Sequence, residues 1–117
     1  MVEGVGGLLV PLRLDYSVCD LAADLGLPVV VVARPGLGTI SHTLLTLAAA
    51  RARGLRVRAV VLTPWPGEPG PLETDNRATI AALGAVEVAV LPSVSRPIAA
   101  DLAAAGQTLP WQEWLDG

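Results

Sequence analysis

The stretch "PVVVVARPGLGTISHTLLTLAAARARGLRVRAVVLT", residues 28–63, decides the fold. It begins with a β-branched run over 28–33, which is typical of a strand buried on both faces. A helical pattern follows over 41–54, with Gly54 as its expected end, and a second strand is predicted over 56–63. Strand, helix and strand at this spacing predict a βαβ unit and therefore a parallel sheet.

The same alternation continues on both sides of this unit. The further predicted elements are a short helix over 17–26, a helix over 71–84, a strand over 86–92, a weak helix over 97–106 and a terminal helix over 110–116. The apolar stripes expected to face the sheet are Leu44, Leu45, Leu47, Ala48 and Ala52 on one helix, and Ile80 and Leu83 on the next. We predict a single α/β domain over residues 1–117, a parallel sheet with flanking helices.

Composition supports a packed core and argues against several partners. Hydrophobic residues make up 52% and charged residues 16%, so disorder is not expected. A net charge of −3 predicts no nucleic-acid and no membrane partner. The longest apolar run, 27–33, is too short for a bilayer, and the start of the chain lacks a leader pattern, so we predict a soluble, cytoplasmic protein. Cys19 is the single cysteine, which excludes an internal disulfide and predicts a small buried residue.

Four segments follow predicted strands. Because ligands bind beyond the carboxyl ends of parallel strands, these segments are candidate ligand loops. They are "EGVGG" (3–7) after an expected first short strand, "RPGLGTIS" (34–41), "TPWPGEPGP" (63–71) and "LPSVSRP" (91–97).

Glu3 is the only acid in the first of these loops. Flanking glycines let a backbone approach a ligand closely, so Glu3 could reach a nucleotide's metal ion or a ribose hydroxyl. A solvated acid at a frayed terminus is the open alternative.

The turn before the long helix is a second candidate. Gly36 and Gly38 predict a tight turn, with Thr39 or Ser41 as the helix cap. The free N–H groups of that helix start would suit a carboxylate or phosphate, although an ordinary capped loop explains the pattern equally well. The motif GxxxxGK[ST] is absent, and all eight basic residues are arginine.

Single aromatic and imidazole side chains give weaker signals. His42, the only histidine, is expected to pack or to hydrogen-bond rather than to act as a base. Trp65 either stacks on a flat base or covers the core. Trp111 and Trp114 lie three residues apart, which predicts that they hold down the terminal helix.

Four blocks of the sequence together resemble the carboxyl-terminal half of dethiobiotin synthetase. They are "VEGVGGLLVPL" (2–12), "LPVVVVARPGLGTISHTLLTLAAARARGLRVRAVVLTPWPGEPG" (27–70), "ETDNRATIAAL" (73–83) and "VAVLPSV" (88–94). The resemblance implies a partial P-loop NTPase-like, Rossmann-like three-layer fold without its P-loop half. It also implies an enzyme that uses ATP and Mg²⁺ to join CO₂ to 7,8-diaminopelargonic acid. A carbamate is phosphorylated, and the second amine closes the ring of dethiobiotin.

The resemblance assigns roles to individual positions. It implies nucleotide-binding roles for Glu3, Gly4, Val5, Gly6, Thr63, Pro64, Pro92, Ser93 and Val94, with Glu3 also as the Mg²⁺ ligand. It implies that Gly38, Thr39, Ile40 and Ser41 meet the substrate's tail carboxylate, across the interface of a homodimer.

Departures from the family pattern limit these roles. Ser41 and Thr63 stand where the family usually has Asn, and the P-loop and its lysine are absent from these residues. We therefore expect this chain alone to be inactive and to need a P-loop half. A non-catalytic module that dimerises or binds a small acid is the alternative, and a partitioning or cobyrinate-amidating P-loop ATPase fits less well. Strands 28–33 and 56–63 would lack neighbours, which predicts self-association.

Overall fold

A computed structural model describes residues 1–116, and parallel strands form the centre of that part of the chain. The elements are β1 (Pro11–Arg13), β2 (Tyr16–Ser17), α1 (Val18–Leu25), β3 (Val29–Ala33), α2 (Thr39–Ala52), β4 (Val57–Trp65), α3 (Pro71–Gly84), β5 (Glu87–Pro92), α4 (Ala99–Gly106) and α5 (Trp111–Asp116). The predicted helices and the three main strands are all present, within two residues of their expected bounds.

The described strands form two sheets. β3, β4 and β5 lie side by side in that order, and both pairs are parallel, as the βαβ pattern predicts. β1 and β2 form a separate antiparallel pair. Helices α2 and α3 pack on one face of the parallel sheet and α5 on the other, so the predicted α/β fold with flanking helices is confirmed.

The core lies between the parallel sheet and helices α2 and α3. Leu47, Val60, Leu62 and Ile80 are each no more than 1% exposed and form one cluster. Cys19 is buried, as predicted, in a second cluster with Ala50 and Leu55. Trp114 closes the opposite face against the sheet.

Helix α2 buries only part of the predicted stripe: Leu47 is buried and Leu44 packs against the main core, as expected. It begins at Thr39, two residues early, and its buried side chains are Thr39, Thr43, Leu47 and Ala50. The predicted stripe was wrong at Leu45, Ala48 and Ala52, which are exposed. The reason is that Leu and Ala occupy nearly every side of this helix, so the apolar pattern does not select one face.

Helix α3 keeps its predicted bounds but not its whole predicted inner face. Ile80 is fully buried, as expected, whereas Leu83 is 69% exposed. Asn76 and Gly84 lie inward with Ile80 instead, at four-residue spacing. A polar side chain and a glycine carry no apolar signal, so the pattern could not identify them.

Strand β3 is not buried on both faces. Val31 and Ala33 pack against the main core, but Val30 is 37% and Val32 66% exposed. These two valines share a face with Ala59 and Val61 of β4, which Trp114 covers. The cover from α5 reaches β4 but leaves Val30 and Val32 open.

The first ten residues correct a further prediction. No strand precedes "EGVGG"; residues 1–10 run as irregular chain, and Met1 to Gly7 are exposed. Leu8 packs against the Cys19 cluster, and its carbonyl accepts a 2.8 Å hydrogen bond from the Cys19 N–H. Among the described residues the segment has no neighbouring strand to pair with, and it packs beside α1 instead. None of the helices within residues 1–116 has the length and apolar character needed to cross a membrane.

Candidate ligand site at the carboxyl edge of the sheet

Three of the four candidate loops leave the same edge of the sheet. Ala33 pairs with Leu62 near the ends of β3 and β4, and Trp65 pairs with Pro92 at the ends of β4 and β5. The residues that follow each strand are therefore neighbours. This is the edge at which open parallel sheets bind ligands.

The N-terminus of α2 is built on a glycine. Gly38 is the N-cap, with φ +91°, a left-handed conformation that a side chain would disfavour. The Thr39 N–H donates to the Gly36 carbonyl at 3.2 Å, and the His42 N–H donates to the Gly38 carbonyl at 3.2 Å. The predicted side-chain cap was wrong, because Gly38 leaves the position without a capping side chain.

Thr39 and Ser41 face opposite environments. Thr39 is 5% exposed, and its hydroxyl lies 3.2 Å from the hydroxyl of Thr43, one turn further along the buried side of α2. Ile40 is half-buried against the core, while Ser41 and His42 are exposed. Of the four predicted substrate-tail residues, Ser41 thus presents its polar side chain outward, whereas the hydroxyl and the N–H of Thr39 both have partners within the protein.

Asn76 of α3 holds the loop that precedes this helix start. Its side chain is 5% exposed, and Nδ2 donates to the carbonyls of Pro35 at 2.9 Å and Gly36 at 3.2 Å. The sequence reasoning missed this residue. It stands among the polar residues 73–77, so nothing in the apolar pattern marked it as inward.

The β4 end of the site carries Thr63, Pro64 and Trp65. Thr63 is half-buried, Pro64 is exposed, and the peptide bond between them is cis. β4 continues to Trp65, which packs against the main core with the Arg77 guanidinium 5.9 Å from its ring centroid. Core cover, one of the two open interpretations of Trp65, is therefore observed.

The β5 end carries the second predicted nucleotide segment. Pro92 and Ser93 are exposed and Val94 is half-buried. The pairing of Trp65 with Pro92 places this segment beside Thr63 and Pro64. The two segments assigned to the base by the resemblance are thus adjacent.

The segment from Glu3 to Gly6 has its observed contacts elsewhere. A Cβ on Gly4 would lie 2.6 Å from Val18 Cγ1, so this backbone lies against α1. Gly6 lines an open, largely apolar cavity of about 440 Å³ together with Leu45, Thr46 and Ala49 of α2. That part of α2 is about two to three turns from Gly38.

The described residues do not build a magnesium site. Glu3 and its neighbours are exposed, and residues 1–116 contain no group of three or more His, Cys, Asp or Glu side chains placed to hold a metal ion. Mg²⁺ prefers octahedral oxygen ligands, which a lone exposed carboxylate does not supply.

Comparison with known proteins agrees with this architecture. A parallel α/β sheet with loops meeting at its carboxyl edge is consistent with a P-loop NTPase-like fold, and a family model described as an AAA domain matches residues 1–99. The chain belongs to this family.

Curated relatives carry a more specific name. The chain is 50% identical to "ATP-dependent dethiobiotin synthetase BioD" of Mycobacterium avium (strain 104) over 101 residues, 86% of this chain and 44% of the relative. Its identity to the same-named protein of Mycobacterium sp. (strain KMS) is 41% over 118 residues, all of this chain and 52% of the relative. Its identity to the same-named protein of Anaeromyxobacter sp. (strain K) is 53% over 93 residues, which is 79% of this chain and 42% of the relative. The resemblance to dethiobiotin synthetase is confirmed, and the chain spans about half the length of these relatives.

Proposed function

We propose that this chain forms part of an ATP-dependent dethiobiotin synthetase. The observation that carries the proposal is the 50% identity over 101 residues to a relative of that name. The reaction joins CO₂ to 7,8-diaminopelargonic acid as a carbamate, ATP phosphorylates the carbamate, and the second amine displaces phosphate to close the ring. A cytoplasmic location and a homodimer are parts of the same proposal.

The start of α2 is the proposed site for the substrate's tail carboxylate. Gly38, Thr39, Ile40 and Ser41 form this turn, and the first N–H groups of a helix attract an anion through unpaired donors and the helix dipole. The exposed Ser41 hydroxyl adds a donor there. The Thr39 hydroxyl faces Thr43 and its N–H donates to the Gly36 carbonyl, so the N–H groups of Ile40 and Ser41 are the proposed donors.

The ends of β4 and β5 are the proposed nucleotide side. Thr63 and Pro64 on one strand and Pro92, Ser93 and Val94 beside them would border the base. Glu3, Gly4, Val5 and Gly6 would follow the phosphates, with Glu3 as a ligand of Mg²⁺, whose chemistry is to neutralise phosphate charge. Glu3 reaches that position only if the exposed segment leaves its contacts with α1 and α2.

Phosphoryl transfer in P-loop enzymes relies on a cradle made of the P-loop backbone and its lysine, which these 117 residues do not supply. They contain no lysine and no GxxxxGK[ST] motif. The developing charge on a transferred phosphoryl group is stabilised mainly by such a cradle. We therefore expect turnover only when a polypeptide carrying the P-loop completes the site.

The test is a dethiobiotin assay with diaminopelargonic acid, bicarbonate, ATP and Mg²⁺. We expect no product from the chain alone, and product when it is co-expressed with the amino-terminal part of the Mycobacterium avium relative. Ser41→Asp should lower the restored activity, because a second carboxylate would repel the substrate tail. Thr74→Asp, at an exposed position of α3, is the matched control and should not. Product from the chain alone would refute the need for a P-loop half.

A non-catalytic acid-binding module is the second candidate, favoured by the absence of lysine. It predicts that the chain binds diaminopelargonic acid while every co-expression pair stays inactive. Restored activity would rule it out.

A further inference from the structure

We propose that Asn76 is the positioning residue of the substrate-tail turn, a role that rests on the proposed function of Gly38 to Ser41. It lies on α3 and acts through the backbone of residues 34–38, without touching the substrate itself. Its side-chain amide fixes the direction in which the first N–H groups of α2 point.

The chemistry of the contact assigns the donor. Both partners of Asn76 are backbone carbonyls, Pro35 O at 2.9 Å and Gly36 O at 3.2 Å. Carbonyl oxygens only accept, so the amide nitrogen must face them and uses its two hydrogens. Because the side chain is 5% exposed, water is a poor substitute for either bond.

The two hydrogen bonds from Asn76 to Pro35 and Gly36, called the clamp below, share one acceptor with the start of α2. The Gly36 carbonyl accepts from Asn76 and also from the N–H of Thr39, the first residue of α2. Movement of Gly36 therefore moves the helix start. Gly38, at φ +91°, has a wide choice of backbone conformations, so this turn needs an external constraint to hold one.

The clamp also links the two halves of the candidate site. α3 begins directly after residues 66–70, the loop that follows β4 on the nucleotide side. Asn76 thus fixes the substrate turn to the helix that starts from the nucleotide loop. A precise carboxylate position matters because small misplacements of a reactant reduce catalysis strongly.

The experiment compares Asn76→Asp and Asn76→Ala with Thr79→Ala, a half-buried polar control on the same helix. Amide exchange in the free chain is read at Thr39 and, for global stability, at Leu62. We expect loss of the clamp to lower protection at Thr39 about tenfold with Leu62 little changed, and Thr79→Ala to leave Thr39 unchanged. Unchanged Thr39 protection, or an equal loss at Leu62, would overturn the inference.

The pH dependence of the Thr39 protection factor shows whether Asn76 acts through its hydrogen bonds or only by filling space. In Asn76→Asp a carboxylate would face two carbonyls, whereas its protonated form regains one O–H donor. The protection factor of Thr39 should therefore rise in this variant as the pH falls, and should not do so in Asn76→Ala. A flat profile in both variants would contradict the clamp.

Ligand binding tests the link to function. Diaminopelargonic acid added to ¹⁵N-labelled wild-type chain should shift the Ile40 and Ser41 amides, and Asn76→Ala should weaken that binding about tenfold or more. If the wild type does not bind, the proposed substrate-tail role of Gly38 to Ser41 fails, while the exchange result still decides whether Asn76 fixes the turn. Equal binding by wild type and Asn76→Ala would refute the positioning role.

Discussion

At the scale of single residues, Gly84 decides how closely α3 approaches α2. It is buried at the end of α3, and a Cβ there would lie 2.8 Å from Leu47 Cδ1 and 3.2 Å from Val86 Cγ1. Leu47 is 1% exposed and belongs to the main core, so it has little room to yield. The close contact of the two helices therefore depends on the missing side chain.

Gly84→Ala should destabilise the fold by about 1–3 kcal/mol, because the added methyl group overpacks the core. Urea unfolding measures the change. Gly106→Ala is the control: it also ends a helix, but its Cβ would meet nothing within 4 Å. That variant should be neutral or more stable by about 0.5–1 kcal/mol. Equal effects at both sites would contradict the packing argument.

Asp20 makes the N-terminus of α1 sensitive to acid. The Ser17 backbone N–H and hydroxyl donate to its carboxylate at 2.8 and 2.9 Å, while the Asp20 N–H donates to the Ser17 hydroxyl at 3.2 Å. The backbone hydrogen bond first, then the hydroxyl, lowers the pKa of Asp20 below its ordinary value of 3.8. This reciprocal capping box stabilises the ionised carboxyl in the folded state.

The sign of the pH effect follows from that lowered pKa. The unfolded chain binds the proton more readily, so the contribution is present above pH 3.8 and is lost as the pH falls through the lower folded value. Asp20→Asn should remove this part of the acid dependence of unfolding. Asp75→Asn, at an exposed carboxylate of α3, should retain it. Identical profiles for wild type and Asp20→Asn, measured by urea unfolding at each pH, would contradict the assignment.

At the scale of elements, Trp114 is the buried side chain through which α5 packs against the sheet. Trp114 is 6% exposed, packs against Ala59 and Val61, and donates from Nε1 to Glu87 Oε2 at 3.1 Å. Trp111, in the same helix, is 41% exposed. The sequence predicted that both rings hold the helix down, but the structure gives that role chiefly to Trp114.

Trp114→Ala should lower the free energy of unfolding by about 3 kcal/mol or more, since it removes a buried ring and leaves Glu87 without this donor. Trp111→Ala should change it by less than about 1 kcal/mol. Denaturant titrations of the two variants give the comparison. Similar losses would mean that the two rings share the role.

The elements also show what the sequence could predict. α3 matches its predicted bounds: Pro71 starts it, a signal that acts locally, and Gly84 is its last residue, although the left-handed residue that ends it is Ala85. The meeting of three loops at one edge followed from parallel strands alone. The inward positions of Asn76 and Thr39 could not be predicted, because they depend on how α2 and α3 lie against each other. Strand β1 could not be predicted either, because it is too short and too exposed to produce a hydrophobic pattern.

At the scale of the whole molecule, the parallel sheet is covered unevenly. One face lies under α2 and α3, and the other is covered at β4 by α5 but open at Val30 and Val32 of β3. Within the described chain β3 pairs only with β4, so its outer edge is unpaired. The strand itself carries no charge or proline that would discourage pairing with another chain.

We therefore expect the isolated chain to self-associate through β3. In sedimentation velocity its average mass should rise with concentration, and Val32→Lys should shift the distribution towards monomer, because a charged side chain disfavours both apolar contact and edge pairing. Leu83→Lys replaces a similarly exposed residue, 69% against 66%, on the outer side of α3, and should leave association unchanged.

The two variants distinguish association through the β3 edge from non-specific association through exposed apolar surface. If both reduce association equally, exposed apolar area is the cause wherever it lies, and β3 has no special role. If the wild type sediments as a single sharp monomer at micromolar concentration, the open edge does not drive association at all. Association that only Val32→Lys abolishes would identify β3 as the surface that needs a neighbour.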